Sequence, residues 1–251
     1  MHLHTGERGE IMKIAVISDL HCSDTVITPA NPPRHGHVGI QILEKAIARI
    51  NSEDRPDILL VGGDLTNLPA DVHHLDACAG VLKNSACPVV IIPGNHDPKP
   101  EIFYQHMPRP QDYYDIKGIR VIPFPDDLHT AGCNALRPEK GMQRMAKLAD
   151  GSMPTVIFQH VPIFRFEQDH IACPYNYENA AEIIDFAAKN RVVLAISGHY
   201  HPAFGPYYMS PLPALAVPSL CETPFFYALC ELDSDGSIIS YTLKRACTAV
   251  E

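Results

Sequence analysis

The chain has 251 residues, of which 46% are apolar and 20% charged, and a formal net charge of −9. That length can bury a full core, and the acidic balance argues against a nucleic-acid binder working through a basic surface. No apolar run reaches the eighteen or so residues of a membrane-spanning helix, so no membrane partner is expected.

Residues 1–12 are polar and lack an apolar signal core, so they are expected to be a disordered extension, with Met12 as an alternative start. A strand is predicted over 13–18, followed by a Pro- and Asn-rich loop through Pro33. A helix over 38–52 would align Ile40, Leu43, Ile47 and Ile50 on one face. A second strand ends at Gly63, a helix over 72–84 carries Val72, Leu75, Ala79 and Leu82, and a third strand runs to Ile92. This βαβαβ order predicts a mainly parallel sheet. Residues 113–124 read as a hairpin turning at Lys117-Gly118, and a helix follows over 139–149. A strand over 155–160 opens into a loop over 161–177, long enough to suggest function or disorder. A helix over 178–189 precedes a strand that leads to His199. The Pro-rich remainder ends in a hairpin, 225–232 with 237–243, around Ser234-Asp235-Gly236. These late antiparallel strands are expected to form a second sheet packed on the first. No repeat or linker interrupts the chain, so 13–251 reads as a single domain.

The eight Cys show no paired spacing, which favours reduced thiols in a cytoplasmic protein. Cys22 adjoins His21, and a buried structural thiol is its favoured reading. His73 and His74 read as part of a solvated helix face.

Five of the apolar runs end in metal-binding residue types. The endings are Asp19-Leu20-His21, Gly62-Gly63-Asp64, Gly94-Asn95-His96-Asp97, His160, and Gly198-His199-Tyr200-His201. Ligands of α/β proteins gather beyond the carboxyl ends of the strands, so these endings are expected to share one site. Residues two apart on an extended chain point the same way, which pairs Asp19 with His21 and His199 with His201. Asp64 has two oxygens and could bridge two cations, Asn95 offers a neutral carbonyl, and Gly94 permits an unusual backbone angle. Mixed imidazole and carboxylate ligands suit Mn, Fe, Zn or Co rather than Mg or Ca alone. Two such ions can hold a bridging hydroxide and clamp a phosphoryl group for in-line attack.

The ordered set of five resembles the motifs of the calcineurin-like metallophosphoesterases, over residues 13 to about 201. The resemblance implies a four-layer αββα sandwich with two mixed β-sheets and the metal site at strand ends. It implies that Asp19, His21 and His201 hold one metal, that Asp64 bridges, and that Asn95, His160 and His199 hold the other. His96 would then assist the leaving group as proton donor or charge stabiliser, with Asp97 and Asn67 beside it in the catalytic set. Protein phosphatases of this superfamily extend the second motif to Gly-Asp-x-x-Asp-Arg, whereas this chain has Asn67 and Leu68 at the last two positions. Asn67 can accept a hydrogen bond from His96 but cannot raise its pKa as a carboxylate would. The departure makes a phosphoprotein substrate less fitting, and the chain resembles more the small bacterial members, which include cyclic-nucleotide and other phosphodiesterases.

Arg34, His35 and His37, in the loop after the first motif, and Arg165, in the loop after His160, are candidate substrate contacts. Phe164, Phe166, Tyr175 and Tyr177 could wall a base, although packing is the favoured reading. The expected function is hydrolysis of a small nucleotide-like phosphodiester. A phosphomonoesterase or DNA exonuclease of the same superfamily is the alternative, and a non-catalytic scaffold is disfavoured because every ligand is retained. The oligomeric state is open, a homodimer among the options.

Overall fold

The computed structural model describes residues 10–27, 32–165, 172–208 and 211–248. Strand β1 (Met12–Ile17) alternates its faces: Met12, Ile14 and Val16 enter one core, while Ala15 and Ile17 enter another. That alternation is the two-residue period of a strand buried on both sides. β2 (Ile58–Val61) divides the same way, with Ile58 and Leu60 against Leu59 and Val61. β1, β2 and β3 (Val89–Ile91) pair in parallel.

Helices α1 (Gly39–Arg49), α2 (Val72–Leu82) and α3 (Pro100–His106) cover the outer face of this sheet. α1 buries Ile42, Leu43, Ala46 and Ile47 rather than a stripe through Ile40, and a π-helical turn, Ile50–Asp54, extends it. α2 buries Leu75, Cys78, Val81 and Leu82. α3 was not expected; at seven residues it shows too little periodicity to announce itself, and Pro100 opens it.

The second sheet begins earlier than the sequence suggests. Strand β4 (Tyr114–Ile116) turns into β5 (Ile119–Pro123), which pairs in parallel with β8 (Thr155–Phe158). β9 (Val192–Ser197), β11 (Ala214–Ala216) and the antiparallel edge strand β10 (Phe204–Tyr207) complete an order of β10-β11-β9-β8-β5-β4. The late hairpin, β12 (Phe226–Leu232) with β13 (Ile238–Arg245), does not join it. β12 pairs antiparallel with β1, so the first sheet runs β13-β12-β1-β2-β3. Ala228, Cys230 and Leu232 complete the core between the sheets, which explains the choice of partner.

Helices α4 (Glu139–Leu148) and α5 (Ala180–Lys189) close the outer face of the second sheet with Met145, Leu148, Ile183 and Ile184. Helices, sheet, sheet and helices form the four expected layers. A small hairpin, β6 (Leu128–Thr130) and β7 (Asn134–Leu136), projects beside them. Of the expected N-terminal extension, residues 1–9 lie outside the described residues, and Met12 is buried in β1 opposite Leu232.

Candidate metal centre

The parallel strands of both sheets end at one edge of the sandwich, and the chain bends sharply there. Asp19 (φ 58°), His21 (φ 44°), Asp64 (φ 52°) and His199 (φ 64°) are left-handed despite carrying side chains. Such conformations are costly and persist only where surroundings over-determine them. A lattice of backbone bonds does so here: Asp19 N to Gly63 O (3.0 Å), His21 N to Asp64 O (2.8 Å) and Gly198 N to His160 O (3.0 Å). Asp19 and His21 therefore converge through bent backbone rather than strand alternation. Gly63 is left-handed (φ 92°), as a sharp turn requires. Gly94 has a different reason, since a Cβ there would lie 2.1 Å from Asp64 Oδ1 and 2.6 Å from His160 Cε1. Close approach, not an unusual angle, demands that glycine.

All seven expected ligands come together, in two clusters. In the first, His201 Nε2 lies 3.1 Å from His21 Nε2 and 3.4 Å from Asp19 Oδ1. In the second, His160 Nε2 lies 3.1 Å from both Asn95 Oδ1 and His199 Nδ1. Asp64 Oδ2 stands between them, 3.6 Å from His21 Nε2 and 3.5 Å from His160 Nε2. One oxygen faces both clusters, because Asp64 Oδ1 already accepts the backbone N–H of His96 at 2.8 Å.

The outward nitrogens decide which lone pairs point inward. His160 Nδ1–H donates to Gly62 O (2.6 Å) and His199 Nε2–H to Cys133 O (2.9 Å). His201 Nδ1 meets Glu222 Oε1 at 2.5 Å. Asp19, His21 and Asp64 are almost wholly buried, and Asp19 Oδ1 has no hydrogen-bond partner. Buried carboxylates left so are expensive unless cations face them. Each cluster thus has the donors one borderline cation needs, and the residues fit a pair of ions.

The titration behaviour of these groups follows their surroundings. Burial opposes ionisation of Asp19, but the His201 imidazole 3.4 Å from it holds its carboxyl below the usual range. His160 overcomes burial in the same way at Asp64. In return, burial is outweighed by Asp64 at His160 and by Asp19 and Glu222 at His201, and both imidazoles rise to about 9. Burial pushes His21 and His199 down to about 3, which keeps their lone pairs available.

A cleft of about 370 Å³ opens over the centre. His96 lines it half-buried, its ring edge-on to His21 at 4.7 Å, and its Nδ1–H donates to Asn67 O at 2.8 Å. The backbone carbonyl of Asn67 does this work, not the side chain expected to. His96 Nε2 is left for the cleft. Asp97 turns away from the cleft: Oδ1 accepts from Thr66 N and Oδ2 from Gly94 N, both at 2.9 Å. Burial and then the neighbouring Asp64 raise its carboxyl to about 7. Asp97 braces the two ligand loops and reaches no reacting atom, so its catalytic reading becomes a positioning one.

Of the candidate substrate contacts, Arg34 lines the cleft, with Nε 3.8 Å from Glu222 Oε1. His35 packs its ring on Phe225 (5.5 Å), and His37 is exposed outside the cleft lining. Arg165 pairs with Asp185 on α5 and does not line the cleft. Tyr175 does line it and meets the His199 ring at 4.6 Å, whereas Phe164 and Tyr177 are core residues and Phe166 lies outside the described residues. Cys22 is buried, its sulfur 3.9 Å from that of Cys78.

Two residues carried no sequence signal. Glu222 sits in a Pro-rich stretch with no motif spacing, and His129 on β6 places its ring 5.6 Å from His160.

A profile described as calcineurin-like phosphoesterase matches residues 12–203. The chain belongs to the calcineurin-like phosphoesterases. It is therefore a metal-dependent phosphoester hydrolase of that family. A probable cyclic nucleotide phosphodiesterase from Fibrobacter succinogenes is 30% identical over 204 residues, covering 76% of this chain and 73% of that protein. A glycerophosphodiester phosphodiesterase from Enterobacter lignolyticus is 26% identical over 200 residues, covering 72% and 69%. The crystal structure of a dimetal phosphatase from Danio rerio superposes with a TM-score of 0.70 at 14% identity, covering 94% of this chain and 99% of that one, a likeness of fold.

Proposed function

We infer that this phosphoesterase hydrolyses small, nucleotide-like phosphodiesters at a dinuclear centre. In this reading Asp19, His21 and His201 would hold one cation and Asn95, His160 and His199 the other, with Asp64 serving both clusters. Bound there, two cations supply Lewis acidity that polarises the phosphoryl group and acidifies a water nucleophile. The chain's residues do the rest. Asp19 and Asp64 leave part of the cation charge uncompensated, which draws an anion into the cleft. The Asn67 carbonyl fixes the His96 ring so that Nε2 can give a proton to the departing alkoxide. Tyr175, on the cleft wall, offers an apolar face for a base or sugar.

One observation carries the preference for a diester. Among the described residues, Arg34 is the arginine or lysine lining the cleft, and the Glu222 carboxylate faces it. A monoester carries about two negative charges near neutral pH, and a diester carries one less. A wall whose cation is already matched favours the lesser charge. The phosphodiesterase names of both relatives agree with this reading.

The test compares bis(p-nitrophenyl) phosphate, cyclic nucleotides, glycerophosphodiesters and p-nitrophenyl phosphate, each with Mn²⁺, Fe²⁺ and Zn²⁺. Diesters should be cleaved with the higher kcat/KM; a monoester preference overturns the proposal. His96→Ala should retain its metal and lose about 10²–10⁴-fold in rate, most with poor leaving groups. Equal loss for p-nitrophenyl and alkyl leaving groups would remove the proton-donor role.

A further inference from the structure

Away from the cleft, the first turn of α2 presents His73 and His74 to the loop that follows the first motif. Asp24 Oδ1 lies 3.6 Å from His73 Nε2 and 3.5 Å from His74 Nε2. The three donor atoms all fall within 4.8 Å of one another. His74 is not the solvated residue the helical pattern suggests: its side chain is 14% exposed, and its Nε2 is buried without a hydrogen-bond partner. Asp71, at the helix start, is the other charged group that acts on this ring.

A simple ion pair does not account for this arrangement. Where this protein makes a histidine–carboxylate hydrogen bond on its surface, His106 Nδ1 to Asp76 Oδ1, the distance is 2.8 Å. At Asp24 one carboxylate oxygen stands almost equally far from two ring nitrogens and is bonded to neither. Nitrogen and oxygen ligands at 2.0–2.1 Å from a tetrahedral ion are separated by about 3.3–3.4 Å. The observed 3.5 and 3.6 Å are close to that edge. They also fall within the 3.4–3.9 Å between Asp and His donors in the cleft. Burial and the adjacent His73 lower the His74 pKa, so its lone pair is available near neutral pH.

We propose that Asp24, His73 and His74 form a peripheral site for one borderline divalent cation such as Zn²⁺ or Co²⁺, completed by solvent and separate from the hydrolytic centre. Two imidazoles and one carboxylate select such ions over Mg²⁺ and Ca²⁺. The ion would tie α2 to the loop that begins three residues after His21.

The test is a Co²⁺ titration of metal-free, full-length protein, read by equilibrium dialysis and visible absorption. Wild type should bind one equivalent more than His73→Ala/His74→Ala. Asp24→Asn, a milder change, should weaken that equivalent by at least tenfold. Both variants, fully loaded, should hydrolyse bis(p-nitrophenyl) phosphate at the wild-type rate. Equal stoichiometry and affinity in wild type and Asp24→Asn overturns the proposal even if the double variant fails to fold. Because the result is a difference, error in the ion count at the hydrolytic centre changes the total but leaves the difference intact.

Discussion

Glu222 decides which nitrogen of His201 faces the centre, because its Oε1 takes the Nδ1 side at 2.5 Å. It also stands 3.8 Å from Arg34 in the cleft wall. Glu222→Gln keeps an acceptor but removes the charge. On the proposed ligand set, cation affinity should fall about 10–100-fold. The ratio of monoester to diester turnover should rise as Arg34 loses its counter-charge. Calorimetric titration of the metal-free protein reads the first effect, and unchanged affinity would end the positioning role. At this scale the sequence singled out the seven side chains that the fold gathers at the cleft, since only a few side-chain types can bind metal and their order is informative. It could not carry Cys133 and Asn67, which act through carbonyls that every residue possesses, nor Glu222, which has no fixed spacing to His201.

The β6–β7 hairpin shows the same limit at the level of elements. Its strands span three residues each, too few for a period to emerge, yet its turn supplies the carbonyl that holds His199. The hairpin is pinned from beneath by Arg137, which is 1% exposed, lies 3.4 Å over the Phe124 ring and donates to Asp127 at 2.8 Å. Tyr177 OH donates to the same carboxylate at 2.7 Å. Arg137→Met would leave Asp127 buried without its cation, a loss of about 3–5 kcal/mol. Thermal unfolding should show a lowered Tm, and metal affinity should fall with it as His199 loses its support. A variant with wild-type Tm would mean that the pair contributes nothing to holding the hairpin. The final hairpin was legible as a hairpin, but its sheet was not. Alternation identifies a buried face, and only the three-dimensional fit of Ala228, Cys230 and Leu232 says which sheet receives it.

For the whole molecule, the clustered charges link folding, pH and metal. His160 and His201 titrate near 9 in the folded chain against an ordinary 6.5. Their contribution to stability is complete below about 6.5 and is lost as pH rises through 9. His21 and His199, lowered to about 3, have given their full contribution once pH exceeds 6.5, so they do not offset that loss. Metal-free protein should therefore lose Tm between pH 7 and 9. Cations must displace the same protons, so their affinity should increase over that interval and flatten the Tm profile when they are present in excess. A metal-free Tm that climbs from pH 7 to 9 would contradict the assignment of protons to these two rings. The parallel core of the first sheet was legible from its alternation with helices, because buried parallel strands need helices outside them, whereas the four layers followed from the family resemblance. Which strands close each sheet was decided by packing between layers.

The Asp64 carboxylate is a mechanical link between the two clusters and His96. With Oδ2 turned to both clusters and Oδ1 holding the amide of His96, any pull on one oxygen is felt at the other. On the proposed ligand set, loading the centre and aligning the His96 ring thus become a single motion, and an unloaded enzyme would be mis-set at both places at once.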